Sequence, residues 1–137
     1  MVEAVITLDT SAIYALIDRL DPDHARVREG LMADPGPYVV PATVLCEVGY
    51  LVERRLGTDV LLAFLDDLQS GSFSLDCGEQ DLARMGELVS RYRNLPLGIA
   101  DAAVIACAER SGGNVLTLDR RHFDIVTRDV PVRVLPA

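Results

Sequence analysis

The chain has 137 residues, half of them hydrophobic and a quarter charged, with 21 acids against 13 bases and a net charge of −8. That length suits one domain spanning 1–137 with a sizeable core and is too short for two, and the composition excludes a disordered chain. Every base is an arginine, and so acidic a chain is a poor non-specific nucleic-acid binder, because phosphates are held mainly by basic residues.

Val5-Ile6-Thr7-Leu8 is short, apolar and β-branched, which predicts a buried strand ending at Asp9. Thr10 and Ser11 can cap a helix over residues 12–17. Asp21-Pro22-Asp23 turns the chain into a second helix, which reaches about Met32 and stops at Asp34-Pro35-Gly36-Pro37. Tyr38-Val39-Val40 predicts a second strand, and Pro41-Ala42-Thr43 opens a helix to about Arg55. Gly57 breaks it, and Thr58-Asp59 starts another to about Gln69. Phe73-Ser74-Leu75 reads as a third strand. Residues 79–93 have helical spacing through Leu82, Met85, Val89 and Tyr92. After the break at Leu95-Pro96-Leu97-Gly98, residues 99–110 form a helix apolar nearly all round, hence buried. Val115-Leu116-Thr117-Leu118 is a strand closed by Asp119, and a last strand falls at Val132-Arg133-Val134-Leu135. Strands alternating with helices predict an α/β fold with a mainly parallel sheet.

Glu3 and Asp9 interrupt the opening apolar stretch, so no signal peptide is read there, and no apolar run is long enough to span a bilayer. Cys46, Cys77 and Cys107 are scattered, with neither zinc spacing nor a redox pair. They read as reduced core residues of a cytoplasmic protein.

Val5-Ile6-Thr7-Leu8-Asp9 and Val115-Leu116-Thr117-Leu118-Asp119 echo each other: each is an apolar strand with an acid just past its end. In a parallel sheet such ends share one edge, where ligands bind, so Asp9 and Asp119 converge if their strands are close. Read alone, each acid can equally cap the next helix. Glu47 borders the apolar stripe of Val44, Val48, Leu51 and Val52 and can reach toward a cleft, or be an ordinary boundary residue. Asp101 is the only charged residue between Arg93 and Glu109, and a carboxylate in apolar surroundings is costly unless it is paired, capped or bound to metal. Four converging carboxylates repel one another unless a cation compensates, and a set of oxygen ligands suits Mg2+ or Mn2+ rather than zinc. His24, in a charged helix, and His122, in a charged loop, are not expected to bind metal.

Four segments carry a resemblance: Leu8-Asp9-Thr10-Ser11-Ala12, residues 40–47 from Val40-Pro41 to Cys46-Glu47, Leu97-Gly98-Ile99-Ala100-Asp101-Ala102, and residues 116–123 from Leu116-Thr117 to His122-Phe123. In this order and spacing they resemble the four motifs of the PIN-domain nucleases, and the ending Asp119-Arg120-Arg121-His122-Phe123 is most similar to the VapC toxins. The resemblance implies a three-layer α/β/α PIN-like domain. It also implies Mg2+- or Mn2+-dependent endonuclease cleavage of RNA, homodimerisation, and inhibition by a VapB-like antitoxin. By motif, Asp9 and Asp101 would bind the main metal, while Glu47 and Asp119 would hold its waters or a second ion. Thr10, Ser11 and Thr117 would position water or phosphate, and Arg120 and Arg121 are candidate phosphate contacts. Where some relatives carry a further acid, this chain has His122, which leaves a fifth ligand in doubt.

Two rival enzymes fail on single residues. A haloacid-dehalogenase-type phosphatase needs an Asp where Ser11 stands, and a response-regulator receiver domain needs a Lys that this chain lacks. The remaining alternatives are a catalytically silent PIN-like module that binds RNA or protein, and a housekeeping PIN nuclease without an antitoxin.

Overall fold

In the computed structural model, which describes residues 5–136, five parallel strands form one sheet in the order β3-β2-β1-β4-β5. These are β1 (Ile6–Leu8), β2 (Tyr38–Pro41), β3 (Ser74–Asp76), β4 (Asn114–Leu116) and β5 (Arg133–Leu135). Helices α1 (Thr10–Ile17), α2 (His24–Ala33), α3 (Ala42–Leu56), α4 (Thr58–Ser70), α5 (Leu82–Arg91), α6 (Gly98–Arg110) and α7 (Arg120–Val126) flank it. The result is the expected three-layer α/β/α arrangement, with the sheet parallel throughout.

The central strand is uniformly buried, as a strand covered on both faces must be. Leu8 pairs with Leu116, so β1 and β4 end level with each other. Helix α6 packs across β1, β2 and β4, and its residues from Ala102 to Ala108 are all buried. Alanines at four of those positions let its backbone lie close to the sheet. Gly98 opens α6 at φ +79°, a conformation that strains any side chain, and this sharp turn sets Asp101 in the first turn of the helix.

Several boundaries differ from the sequence reading, four of them with a visible cause. Helix α1 starts at Thr10, two residues early, with Asp9 at its N-cap position. Residues 79–81 form a 3-10 turn ahead of α5, because Asp81 is committed to Arg110, whose Nε and Nη2 reach its two oxygens at 2.9 and 2.8 Å. The same helix ends at Arg91, where the chain turns toward Pro96 through Leu95 N–H to Tyr92 O. Strand β4 stops at Leu116 because the Leu118 N–H leaves the ladder for the Ser11 hydroxyl at 2.9 Å. The charged stretch read as a loop is helix α7, anchored by buried Phe123 and Val126 three residues apart. No helix of the described residues is long and apolar enough to cross a membrane.

Candidate active site

The level ends of β1 and β4 open onto a cleft of about 380 Å³ at the C-terminal edge of the sheet. Its lining includes all four predicted acids: Asp9 after β1, Glu47 on α3, Asp101 on α6 and Asp119 after β4. Asp21 and Asp23, from the α1–α2 turn, line it as well. In the sequence those two are recognisable only as turn formers. Their signal was present, two acids one residue apart around Pro22, but only the fold brings that turn to the sheet edge.

Capping does not account for these acids. Asp9 and Asp119 occupy the N-cap positions of α1 and α7, yet neither makes a side-chain capping bond. Asp101 lies inside the first turn of α6 rather than at its cap, and its Oδ2 accepts from His122 Nδ1 at 2.8 Å. His122 is therefore no loop bystander. Helix α7 delivers its ring to Asp101, and donation to a carboxylate places the ring proton on Nδ1.

Asp9 is the buried member, 7% exposed. Burial pushes its carboxyl from the ordinary 3.8 up to about 6, with smaller upward contributions from the charges of Asp101 and Glu47. Hydrogen bonds from the Thr117 hydroxyl and the Thr10 backbone oppose that rise. The charges of Asp101 and Glu47 therefore reach Asp9 through space.

Two of the predicted substrate-positioning hydroxyls have partners within the protein. Thr117 Oγ1 donates to Asp9 Oδ2 at 2.8 Å and accepts from the Asp119 N–H at 3.1 Å. Ser11 Oγ accepts the backbone N–H groups of Leu118 and Asp119 at 2.9 and 3.3 Å. Its own proton is then free for Thr117 Oγ1, 3.2 Å away. The result is a relay from Ser11 through Thr117 to Asp9 that pins the two strand ends together. Thr10 is buried and lines the cleft.

The two arginines nominated for phosphate are not among the residues lining the cleft. Arg120 donates to the Pro136 carbonyl at 2.7 Å and pairs with Asp124 one turn along α7, while Arg121 is exposed. The basic side chain in the lining is Arg55, which the sequence reading had used only to mark the end of α3.

Among the described residues, no three His, Cys, Asp or Glu side chains stand close enough together to hold a metal ion by themselves. The donor set nevertheless fits a hard divalent cation. It is all carboxylate oxygen, one member is buried, and Mg2+ commonly takes one or two carboxylates while keeping its waters. Zinc would need the nitrogen and sulfur ligands that this cleft lacks.

The profile of the PIN-domain family matches residues 6–128, a span that contains every one of these acids. The chain belongs to the PIN-domain family. This PIN-domain chain is 41% identical over 118 residues to Ribonuclease VapC26 of Mycobacterium tuberculosis, covering 85% of this chain and 87% of that protein, which makes it VapC-like. Its fold is similar to that of Mycobacterium tuberculosis VapC20, a sarcin-ricin loop cleaving toxin, with a TM-score of 0.77 at 21% identity over 91% of this chain and 95% of that one. It is also similar to a chain of the DNA-bound VapBC structure from Salmonella typhimurium, with a TM-score of 0.68 at 22% identity over 96% of each chain.

Proposed function

We propose that this PIN-domain chain is a divalent-metal-dependent endoribonuclease and the toxin of a toxin–antitoxin pair. The observation that carries the reading is the buried Asp9 at a strand end, raised to about 6 and sharing a cleft with Glu47, Asp101 and Asp119. Such an arrangement is electrostatically costly in the free protein and is relieved by a cation. The name of its relative, Ribonuclease VapC26, supplies the substrate class.

In this reading Asp9 and Asp101 hold the main ion, and Glu47 and Asp119 hold its waters or a second ion. A Mg2+ or Mn2+ held by these carboxylates would supply water activation near neutral pH and charge neutralisation at the phosphate. The chain's own residues set the geometry. Thr117 fixes Asp9, His122 fixes Asp101, and Ser11 holds the Leu118–Asp119 backbone that carries the fourth acid. In the metal-free protein Asp9, raised to about 6, is ionised mainly above that pH.

The partners in this reading are an RNA substrate, supported by the name of Ribonuclease VapC26, a VapB-like antitoxin, supported by the VapBC structure, and a second copy of the chain, all in the cytoplasm. A groove on α5 and α6 that exposes Leu82, Val89 and Ile99 supports self-association.

The test is cleavage of RNA with Mg2+ or Mn2+ and in excess chelator, comparing wild type with Asp101→Asn. Metal-dependent cuts leaving 5′-phosphate and 3′-hydroxyl ends are expected, lost in the variant, and tolerant of a 2′-deoxy sugar at the cut. A 2′,3′-cyclic phosphate product, or near-normal activity of folded Asp101→Asn, would overturn the mechanism. The toxin assignment is tested separately, by purifying the chain with the product of its neighbouring gene. A complex that cuts as fast as the free chain would remove it.

A further inference from the structure

The proposed reading leaves a physical difficulty at its centre. Six carboxylates line the cleft, the chain carries a net charge of −8, and RNA is a polyanion. Ions at the acids deal with the phosphate being cut. They do nothing for the neighbouring phosphates, which still meet an acidic surface.

Arg55 is the one basic side chain among the described residues lining that cleft. It shares a face of α3 with Glu47 and Leu51, at spacings of four and eight residues, and all three line the cleft. Eight residues of helix place Arg55 about 12 Å along the axis from Glu47, at the rim rather than at the acids. Its guanidinium lies over the Tyr14 ring, 5.3 Å from the centroid, and Tyr14 is itself tied to Asp18 by its hydroxyl at 3.1 Å.

The important point is what Arg55 does not do. In a cleft with six acids, no carboxylate among the described residues lies within ion-pair distance of it. Arg84 is committed to Glu109, Arg110 to Asp76 and Asp81, and Arg54 to the Tyr50 hydroxyl, whereas Arg55 has no such partner among the described residues although it lines an acidic cleft. The Tyr14 ring holds the Arg55 guanidinium, whose N–H groups have no hydrogen-bond acceptor among the described residues, and the edge of a guanidinium is the part that matches two phosphate oxygens. A residue serving only as counter-charge to the acids would turn toward one. A residue serving only the negative end of α3 has no need of an aromatic rest.

We infer that Arg55, held on the Tyr14 ring, grips a backbone phosphate of single-stranded RNA beside the cut. This rests on the ribonuclease reading and adds the substrate-binding element that it lacks. Arg55 touches the substrate. Tyr14 acts through Arg55 and is a positioning residue.

The experiment is steady-state cleavage of a labelled single-stranded RNA at fixed Mn2+ over a series of KCl concentrations. Arg55→Ala is expected to raise KM about tenfold, the loss of one charge-assisted hydrogen-bonded contact, with the loss falling on KM rather than kcat. The slope of log KM against log salt should fall by about 0.7, the signature of one phosphate contact on a single strand. Arg55→Lys should keep that slope and recover only part of the affinity, since a point charge replaces a fork. Tyr14→Leu should raise KM about twofold to fivefold. Melting temperatures confirm that each variant is folded. An Arg55→Ala protein with wild-type KM and salt slope, or one whose loss lies in kcat alone, overturns the inference while the ribonuclease reading stands. A wild-type chain that does not cut RNA, together with an Asp101→Asn chain that does not bind it, overturns both.

Discussion

Replacing Asp9 by Asn should stabilise the protein in chelator, by an amount that grows with pH. Burial is the main reason its carboxyl sits at about 6 instead of 3.8, with Asp101 and Glu47 adding to it. Below 3.8 both folded and unfolded chains hold the proton, and the site carries no penalty. As pH climbs from 3.8 to 6 the unfolded chain ionises first, so folding stability falls. Above 6 the penalty is constant at about 3 kcal/mol, and at pH 4 it is under about 1 kcal/mol. Asparagine has no charge to desolvate, and its carbonyl oxygen still accepts the Thr117 hydroxyl. Its amide N–H groups are new buried donors and cost about 1 kcal/mol if unpaired. The net gain is about 2 kcal/mol at pH 8, or about 7 °C in melting temperature for a chain of this size, shrinking to nothing by pH 4. Thermal unfolding of both proteins in chelator across that range measures it directly. Equal melting temperatures at pH 8, or a difference that does not shrink toward pH 4, would refute the reasoning.

Thr117→Val removes the hydroxyl that donates to Asp9 and accepts from Asp119, and should cost about 2 kcal/mol at pH 8 in urea titrations. A smaller loss at pH 4, where Asp9 is neutral, distinguishes a charge-assisted bond from simple packing. His122→Ala should weaken Mn2+ binding about tenfold by calorimetry while moving the melting temperature by only a few degrees, because the ring orients the Asp101 carboxylate. Unchanged Mn2+ affinity would reduce His122 to a surface contact. Saturating Mg2+ or Mn2+ should raise the wild-type melting temperature, by about 2.7 kcal/mol of stability at a hundred times Kd, and should do much less for Asp9→Asn. Equal stabilisation of the two would remove Asp9 from the metal site.

The acids were legible because strand ends are written twice in this chain, as Val-Ile-Thr-Leu-Asp and Val-Leu-Thr-Leu-Asp, and a parallel sheet brings like ends to one edge. Asp101 was legible because an isolated carboxylate in an apolar helix calls for a partner. Its partner was not, since nothing in the local pattern aims His122 across 21 residues at α6. Helix α7 was hidden for a related reason. With only Phe123 and Val126 turned inward, its seven residues look like a solvated charged turn until the sheet is there to receive them. Ser11 and Thr117 were read as substrate groups because hydroxyls beside acids serve that purpose often. Their engagement with each other, across 106 residues, depends on β1 and β4 being neighbours, which strand order decides and local sequence does not. Arg55 shows the same limit, since an arginine in the last turn of a helix has a sufficient local explanation already.

The relay from Ser11 through Thr117 to Asp9 has a consequence for biosynthesis. Its first member emerges from the ribosome near the start of the chain and its second more than a hundred residues later. Strand β1 must wait for β4 before its Asp9 carboxylate has the Thr117 hydroxyl and before Asp119 exists to face it. A nascent chain that has not yet delivered residues 114–119 holds an unfinished edge, with no fourth acid and no brace between the strand ends. The hydrolytic centre proposed above is thus assembled only once residues 114–119 are made, and a fragment ending between Glu47 and Asp101 carries two of the motif acids without the means to align them.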